Sequence, residues 1–175
     1  AQFWLRLWWD SWTSVFWSFQ HSSQLVEKIA LFPGSFDPFT KGHLDIVNRS
    51  LKVFHKIIIA IGHNSKKHRY FDVLKTKASI ENYFQGNSHV EVLVYDELTA
   101  QIAKKKNAQY LIRGLRNTTD FEYENSISQI NRHLNLDLET VFLITSPQFA
   151  HINSSIIREV HKYGGDISAF VPFEL

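Results

Sequence analysis

The sequence predicts an α/β fold with a five-stranded parallel sheet and helices on both faces. Three observations predict it. From residue 27 onward, short apolar segments alternate with longer segments of helical period, the pattern of strand–helix–strand units. One of the short segments, Lys56–Ile61 (KIIIAI), is apolar almost throughout, as a strand covered on both sides tends to be. No internal repeat and no low-complexity linker interrupts the alternation.

Taken in order, Lys28–Phe32 (KIALF) is a short strand of the buried type, followed by the loop PGSFDPFTKGH. Next, His43–Phe54 sets Leu44, Val47, Leu51 and Phe54 on one face of a helix. Lys56–Ile61 is the second strand and Ser65–Arg69 (SKKHR) a basic loop. Asp72–Phe84 is expected to be a helix with Asp72 near its N-cap, although the Lys75–Lys77 stretch is irregular. His89–Tyr95 (HVEVLVY) is a strand rich in valine. Leu98–Lys106 is a short helix whose basic end suits the negative pole of its dipole. A clipped strand, Tyr110–Ile112, precedes the loop RGLRNTTD, and Thr119–Leu134 is the longest helix. Thr140–Thr145 (TVFLIT) closes the strand set, and Asn153–Tyr163 is a helix ended by Gly164-Gly165.

The bulk numbers fit one soluble domain within the 175 residues: 44% hydrophobic, 21% charged, formal net charge +2. A charge so small gives no reason to expect nucleic acid or a membrane surface as partner. With no cysteine the chain has neither disulfides nor thiolate metal sites, which fits a reducing cytoplasm. Residues 1–25 stand apart. They hold all five tryptophans (Trp4, Trp8, Trp9, Trp12 and Trp17) and only Arg6 and Asp10 as charges. The stretch lacks the basic start and cleavage site of a secretory signal. Its polar interruptions also leave no run near the roughly 20 apolar residues a membrane span needs. An interfacial or partner-binding helix is one reading, since Trp4, Trp8, Trp12, Phe16 and Phe19 can share a face. The other reading is a tail foreign to the domain, either added sequence or upstream sequence read through a missed start, for which Val26 is a candidate. The domain is then residues 26–175.

In parallel sheets of this kind ligands bind at the carboxyl ends of the strands. Chemistry is therefore expected in residues 33–43, 62–69, 96–99, 113–118 and 146–155. The first loop is neither a GxxxxGK[ST] phosphate loop nor GxGxxG. It offers Ser35, then Thr40-Lys41-Gly42-His43 at a helix start, where free N–H groups and the dipole favour an anion. A histidine there either caps the helix or donates to a phosphate as charge builds. Arg113-Gly114-Leu115-Arg116 places two arginines about one turn, which suits polyphosphate chelation as well as it suits two solvated side chains. Ile152-Asn153-Ser154-Ser155 opens the last helix with hydroxyls and free N–H groups, with Arg158 one turn in. No histidine and carboxylate cluster has metal-ligand spacing, so a metal is expected only as an ion carried by phosphate.

PGSFDPFTKGH together with INSSIIRE resembles the TxGH and ISSSxxR pair of the nucleotidyltransferase superfamily. RGLR, DFEYE and NRHL further resemble the phosphopantetheine adenylyltransferase family, from about Lys28 to Phe173. The resemblance implies a Rossmann-like nucleotidyltransferase fold. It also implies transfer of the adenylyl group of ATP, with Mg²⁺, to 4′-phosphopantetheine, giving dephospho-coenzyme A and pyrophosphate. By the same resemblance His43 stabilises the transition state at the α-phosphate. Ser35, Phe36, His43, Gly114, Leu115, Arg116 and Glu124 meet ATP, as does the segment Phe149, Ala150, His151, Ile152, Asn153, Ser154 and Ser155. The acceptor is implied to meet Ser35, Lys67 (with Lys66 its rival), Thr99 and Arg113, with Asn131 nearby. Family members form hexamers, so a homo-oligomer in the cytoplasm is expected. Another adenylyl- or cytidylyltransferase with a different acceptor is the alternative. The chain departs from the family pattern at Asn153, for the first serine of the triplet, and at Phe149, for a tryptophan or tyrosine. Ser35 stands for a frequent threonine, and FDVLKTKASIENYF lacks the usual acidic–arginine pattern.

Overall fold

The computed structural model describes residues 27–63 and 68–174; the tail over residues 1–25, Lys66 and Lys67 lie outside the described residues. Ten elements follow in order: β1 Ile29–Gly34, α1 Lys41–Ser50, β2 Lys56–Gly62, α2 Val73–Tyr83, β3 Val90–Tyr95, α3 Thr99–Lys105, β4 Tyr110–Leu115, α4 Thr118–Leu134, β5 Glu139–Ile144 and α5 Ser154–Lys162. The strands form one sheet in the order β3-β2-β1-β4-β5, and every pairing is parallel. The chain winds outward first to one side and then to the other, so β1 and β4 flank the switch point where a crevice opens at their carboxyl ends.

Alternation along the strands builds two cores. Ala30, Phe32, Ile57, Ile59, Ile61 and Ile112 face one way, against Ile46 and Val47 of α1 and Ile80 of α2. Leu31, Ile58, Ala60 and Leu111 face the other, against Ala100, Ile102 and Ala103 of α3. Adjacent strand residues thus serve opposite layers, which is why β2 is apolar at nearly every position. A third, smaller cluster joins Ile157 of α5 to Ile152, Ile167 and Val171, with Phe71, Phe149 and Phe170 packed on it.

Two expectations are corrected. The clipped fourth strand is longer: Arg113, Gly114 and Leu115 pair with Phe142, Leu143 and Ile144 of β5, so the RGL segment is strand. The polar arginine and the glycine obscure this in the sequence, because neither reads as a strand former. The first helix starts at Lys41, two residues earlier than expected, and ends at Ser50. Phe54 is still buried, but from the turn that follows. The irregular second helix forms with Asp72 as its cap, accepting from the N–H of Leu74 and Lys75, each at 2.9 Å.

Candidate active site

The loop after β1 is built around three phenylalanines. Phe36 adopts φ +46°, a left-handed conformation rare for a large side chain. Its ring is buried 2.8 Å from where a Cβ on Gly34 would stand, so residue 34 tolerates only glycine without displacement. Phe36 meets the His43 imidazole edge-on, ring centroids 5.1 Å apart and planes at 89°. Phe39 lies at 5.6 Å and Phe32 at 6.3 Å.

His43 is fixed by a capping box. Thr40 Oγ1 accepts from the His43 N–H at 3.3 Å, and the Thr40 N–H donates to His43 Nδ1 at 3.0 Å. A histidine here does what glutamate or glutamine does in the usual box. The two readings of His43 that the sequence leaves open are therefore compatible. By accepting at Nδ1, the cap requires the neutral ring to carry its proton on Nε2. Burial depresses the imidazole pKa to about 4, and the Arg116 and Arg113 guanidiniums add to the effect. At neutral pH the ring is an uncharged Nε2–H donor.

One cavity of about 400 Å³ gathers most of the residues singled out in the sequence. Ser35, Phe36 and His43 come from the loop after β1 and the start of α1. Arg113, Gly114, Arg116 and Glu124 come from β4 and α4. Phe149, Ile152, Asn153, Ser154 and Ser155 come from the entry to α5. Leu115 is buried outside the cavity lining, and Ala150 and His151 are exposed outside it. Thr99 lies in a smaller adjoining cleft with Asn131, Arg113 and Glu124, and its hydroxyl is 3.0 Å from Tyr95 OH. Lys67 and Lys66 fall outside the described residues.

Both arginines are aimed by carboxylates. Glu124 accepts from Arg113 Nε at 2.6 Å and also from Nη2, while Nη1 donates to the Pro33 carbonyl at 2.6 Å. Asp120 accepts from Arg116 Nε at 2.9 Å, from Nη2 at 3.1 Å and from its backbone N–H at 3.2 Å. Arg116 Nη1 reaches the Ile152 carbonyl at 3.4 Å. These contacts hold the Asp120 carboxyl below its ordinary pKa. The cavity thus has two cations and two anions, and each guanidinium retains N–H groups for a ligand. Asn153 caps α5, its Oδ1 accepting from the Ser155 N–H at 2.8 Å, so the departure from serine keeps the cap.

Sequence reasoning missed two features. Asp120 was legible only as an early acid of a helix, although its spacing of four from Arg116 signals the pair. The links from Asp37 and Arg69 across the first two loops span more than thirty residues and have no local signature.

Comparison with known proteins fits this geometry. The cytidylyltransferase-like family model matches residues 31–160, a span containing every residue of the cavity. A phosphopantetheine adenylyltransferase of Cytophaga hutchinsonii is 61% identical over 150 residues, covering 86% of this chain and 100% of the relative. The chain belongs to the phosphopantetheine adenylyltransferase family. The family member from Vesicomyosocius okutanii is 45% identical over 84% of this chain and 93% of its own length. Outside the family, the chain shares its fold with a Vibrio parahaemolyticus crystal structure assigned as a nicotinate-nucleotide adenylyltransferase. That match has a TM-score of 0.61 and 19% identity, over 85% of this chain and 95% of the other. Membership makes the chain a nucleotidyltransferase.

Proposed function

We propose that the chain transfers the adenylyl group of ATP to 4′-phosphopantetheine, forming dephospho-coenzyme A and pyrophosphate. One observation carries this reading. His43 is held neutral, with Nδ1 occupied by the Thr40 N–H, in a cavity flanked by Arg113 and Arg116. An oxygen of the acceptor phosphate attacks the α-phosphorus of ATP. The bond from that phosphorus to the bridging oxygen opens, and pyrophosphate leaves with the electron pair. No covalent enzyme intermediate is required, so alignment and charge stabilisation do the catalysis. The His43 Nε2–H donates to an α-phosphate oxygen as charge gathers there. Arg116 and the N–H groups opening α5 receive the leaving phosphates. Ser35 and Lys67 take the acceptor phosphate, and Thr99 with Asn131 borders its arm.

Among the described residues, no three histidine or acidic side chains are grouped to hold a metal. Asp120 and Glu124, the carboxylates of the cavity, are both engaged by arginines. Magnesium is read as entering with ATP, as part of the substrate. Among the described residues no helix is long and apolar enough to cross a membrane. The enzyme acts in the cytoplasm as a homo-oligomer, a hexamer.

The test is pyrophosphate release by the full chain with Mg²⁺, ATP or CTP, and 4′-phosphopantetheine or other phosphorylated acceptors. Release that requires both ATP and 4′-phosphopantetheine is expected. Release with CTP, or only with another acceptor, would replace this reading by that of a different nucleotidyltransferase.

A further inference from the structure

Helix α1 has two working faces. Gly42, His43 and Ile46 line the cavity, while Asp45 and Arg49, one turn apart, reach the end of β5. The half-buried Asp45 carboxylate accepts from the Ser146 hydroxyl at 2.8 Å and from Arg49 Nη1 at 3.2 Å. The same Nη1 donates to the Ile144 carbonyl at 2.7 Å. A pair on one helix thus grips the chain at two points, just where it leaves the sheet. Strand β5 is the outermost strand on its side of the sheet, held on its inner side by β4. There the Thr145 N–H donates to the Leu115 carbonyl at 2.8 Å, and α1 supplies a second support.

The segment leading to α5 begins at Ser146. The Ser146 carbonyl accepts from the Phe149 N–H at 2.8 Å, closing a short 3₁₀ turn over Pro147–Phe149. The Phe149 carbonyl in turn accepts from the Ile152 N–H at 3.0 Å, and Asn153 then caps α5. Each bond sets the next residue, so the placement of Ser146 passes along to Phe149, Ile152 and Asn153, which line the cavity. The turn also rests on α1 itself. A Cβ at Gly42 would stand 3.6 Å from Phe149 Cβ and 3.9 Å from the Phe149 carbonyl oxygen. His43 and the entry to α5 therefore share one helix as their frame. Asp45 adds little net charge to that frame, because its carboxylate is paired with Arg49. Its effect is geometric.

We propose that Asp45 is a positioning residue for the nucleotide donor. Through the Ser146 hydroxyl it fixes the entry to α5 relative to His43. This rests on the functional reading above, in which His43 meets the α-phosphate and the entry to α5 receives the leaving phosphates. The separation of those two groups sets the line of displacement, so a slack contact costs both donor affinity and rate. Residues given to the acceptor stand on other elements: Arg113 on β4, Thr99 on α3 and Asn131 on α4. The hydrogen bonds of Asp45 go to Ser146 and Arg49 and do not reach them. A fault at Asp45 therefore falls on the donor and spares the acceptor.

The experiment is steady-state pyrophosphate release by the full chain with Mg²⁺, ATP and 4′-phosphopantetheine. Wild type, Asp45→Ala, Asp45→Asn, Ser146→Ala and the Asp45→Ala/Ser146→Ala double variant are compared. Asp45→Ala is expected to raise KM for ATP about tenfold and to lower kcat by a similar factor. KM for 4′-phosphopantetheine should stay within about twofold. Asp45→Asn keeps a carboxamide oxygen for the Ser146 hydroxyl and should recover most of the loss. Ser146→Ala should move the same constants in the same direction. The double variant should be within about twofold of Asp45→Ala, because both substitutions remove one contact. A merely structural role lowers the active fraction, which reduces kcat and leaves both KM values alone; that outcome overturns the proposal. Losses that multiply in the double variant overturn it too, since Asp45 would then act elsewhere. A wild type silent with ATP and 4′-phosphopantetheine is a different failure. It removes the assigned reaction, and the role given to Asp45 with it.

Discussion

At the scale of the residue, His43 combines two tasks through one ring. The helix cap takes Nδ1, and this leaves Nε2–H as the chemical end of the side chain. His43→Ala is expected to lower kcat at least a hundredfold, the lower range for losing a preorganised donor, while the far-UV spectrum stays that of the wild type. Near-normal turnover in a well-folded variant would remove His43 from the chemistry. The pKa of about 4 makes a second prediction. The ring should show no titration between pH 8 and 5 by ¹⁵N NMR, with Nε2 protonated throughout. Because the folded value lies below the ordinary 6.5, the unfolded chain binds this proton more readily. Stability contributed by the neutral ring is therefore complete above about pH 6.5 and is lost as pH falls toward 4. His43→Ala should flatten that part of the pH–stability curve. A histidine signal titrating near 6.5 and absent from His43→Ala would contradict the enclosed, neutral ring.

At the scale of the element, β4 and α4 act as one unit. Arg113 stands on a strand and Glu124 on the following helix, and their fork fixes how the two approach the cavity. Glu124→Ala leaves a half-buried guanidinium with the Pro33 carbonyl as its described partner. The expected cost is about 2 kcal/mol, below that of a fully buried pair because both side chains keep some contact with water. A lower urea midpoint at unchanged slope would register it. An unaltered midpoint would mean that the pair does not hold the elements together. The sequence makes the elements legible where period and chemistry agree, as in β2 and in the Asp72 cap. Legibility is worst in β4, where residues chosen for the site stand in positions that sheet pairing would fill with apolar side chains. Cavity residues from the three loops were readable because free helix N-termini and paired arginines are local patterns. The Asp37 and Arg69 links were not, since they join residues that only the fold brings together.

At the scale of the whole molecule, the apolar surface is unevenly spread. The two sheet faces bury their isoleucines and leucines under α1, α2 and α3, but the β5 side of the sheet keeps large side chains outside. On α4, Tyr123, Ile130 and Leu134 are exposed at spacings of seven and four, one stripe of the helix. Leu136 and Ile144 are 81% and 73% exposed on the connection that follows α4 and at the end of β5. Scattered exposed leucines are ordinary, but an apolar stripe along one helix marks a contact surface. A second copy of the chain is the partner this predicts, in keeping with the homo-oligomer proposed above. Leu134→Glu combined with Ile130→Glu should dissociate the assembly, since charges at the centre of an apolar contact are not desolvated cheaply. Analytical ultracentrifugation of the full chain reads the outcome directly, with a hexamer expected for the wild type and smaller species for the variant. The cavity lies at the carboxyl edge of the sheet, so the dissociated variant should still bind ATP. An unchanged sedimentation coefficient in the double variant would show that copies meet through another face.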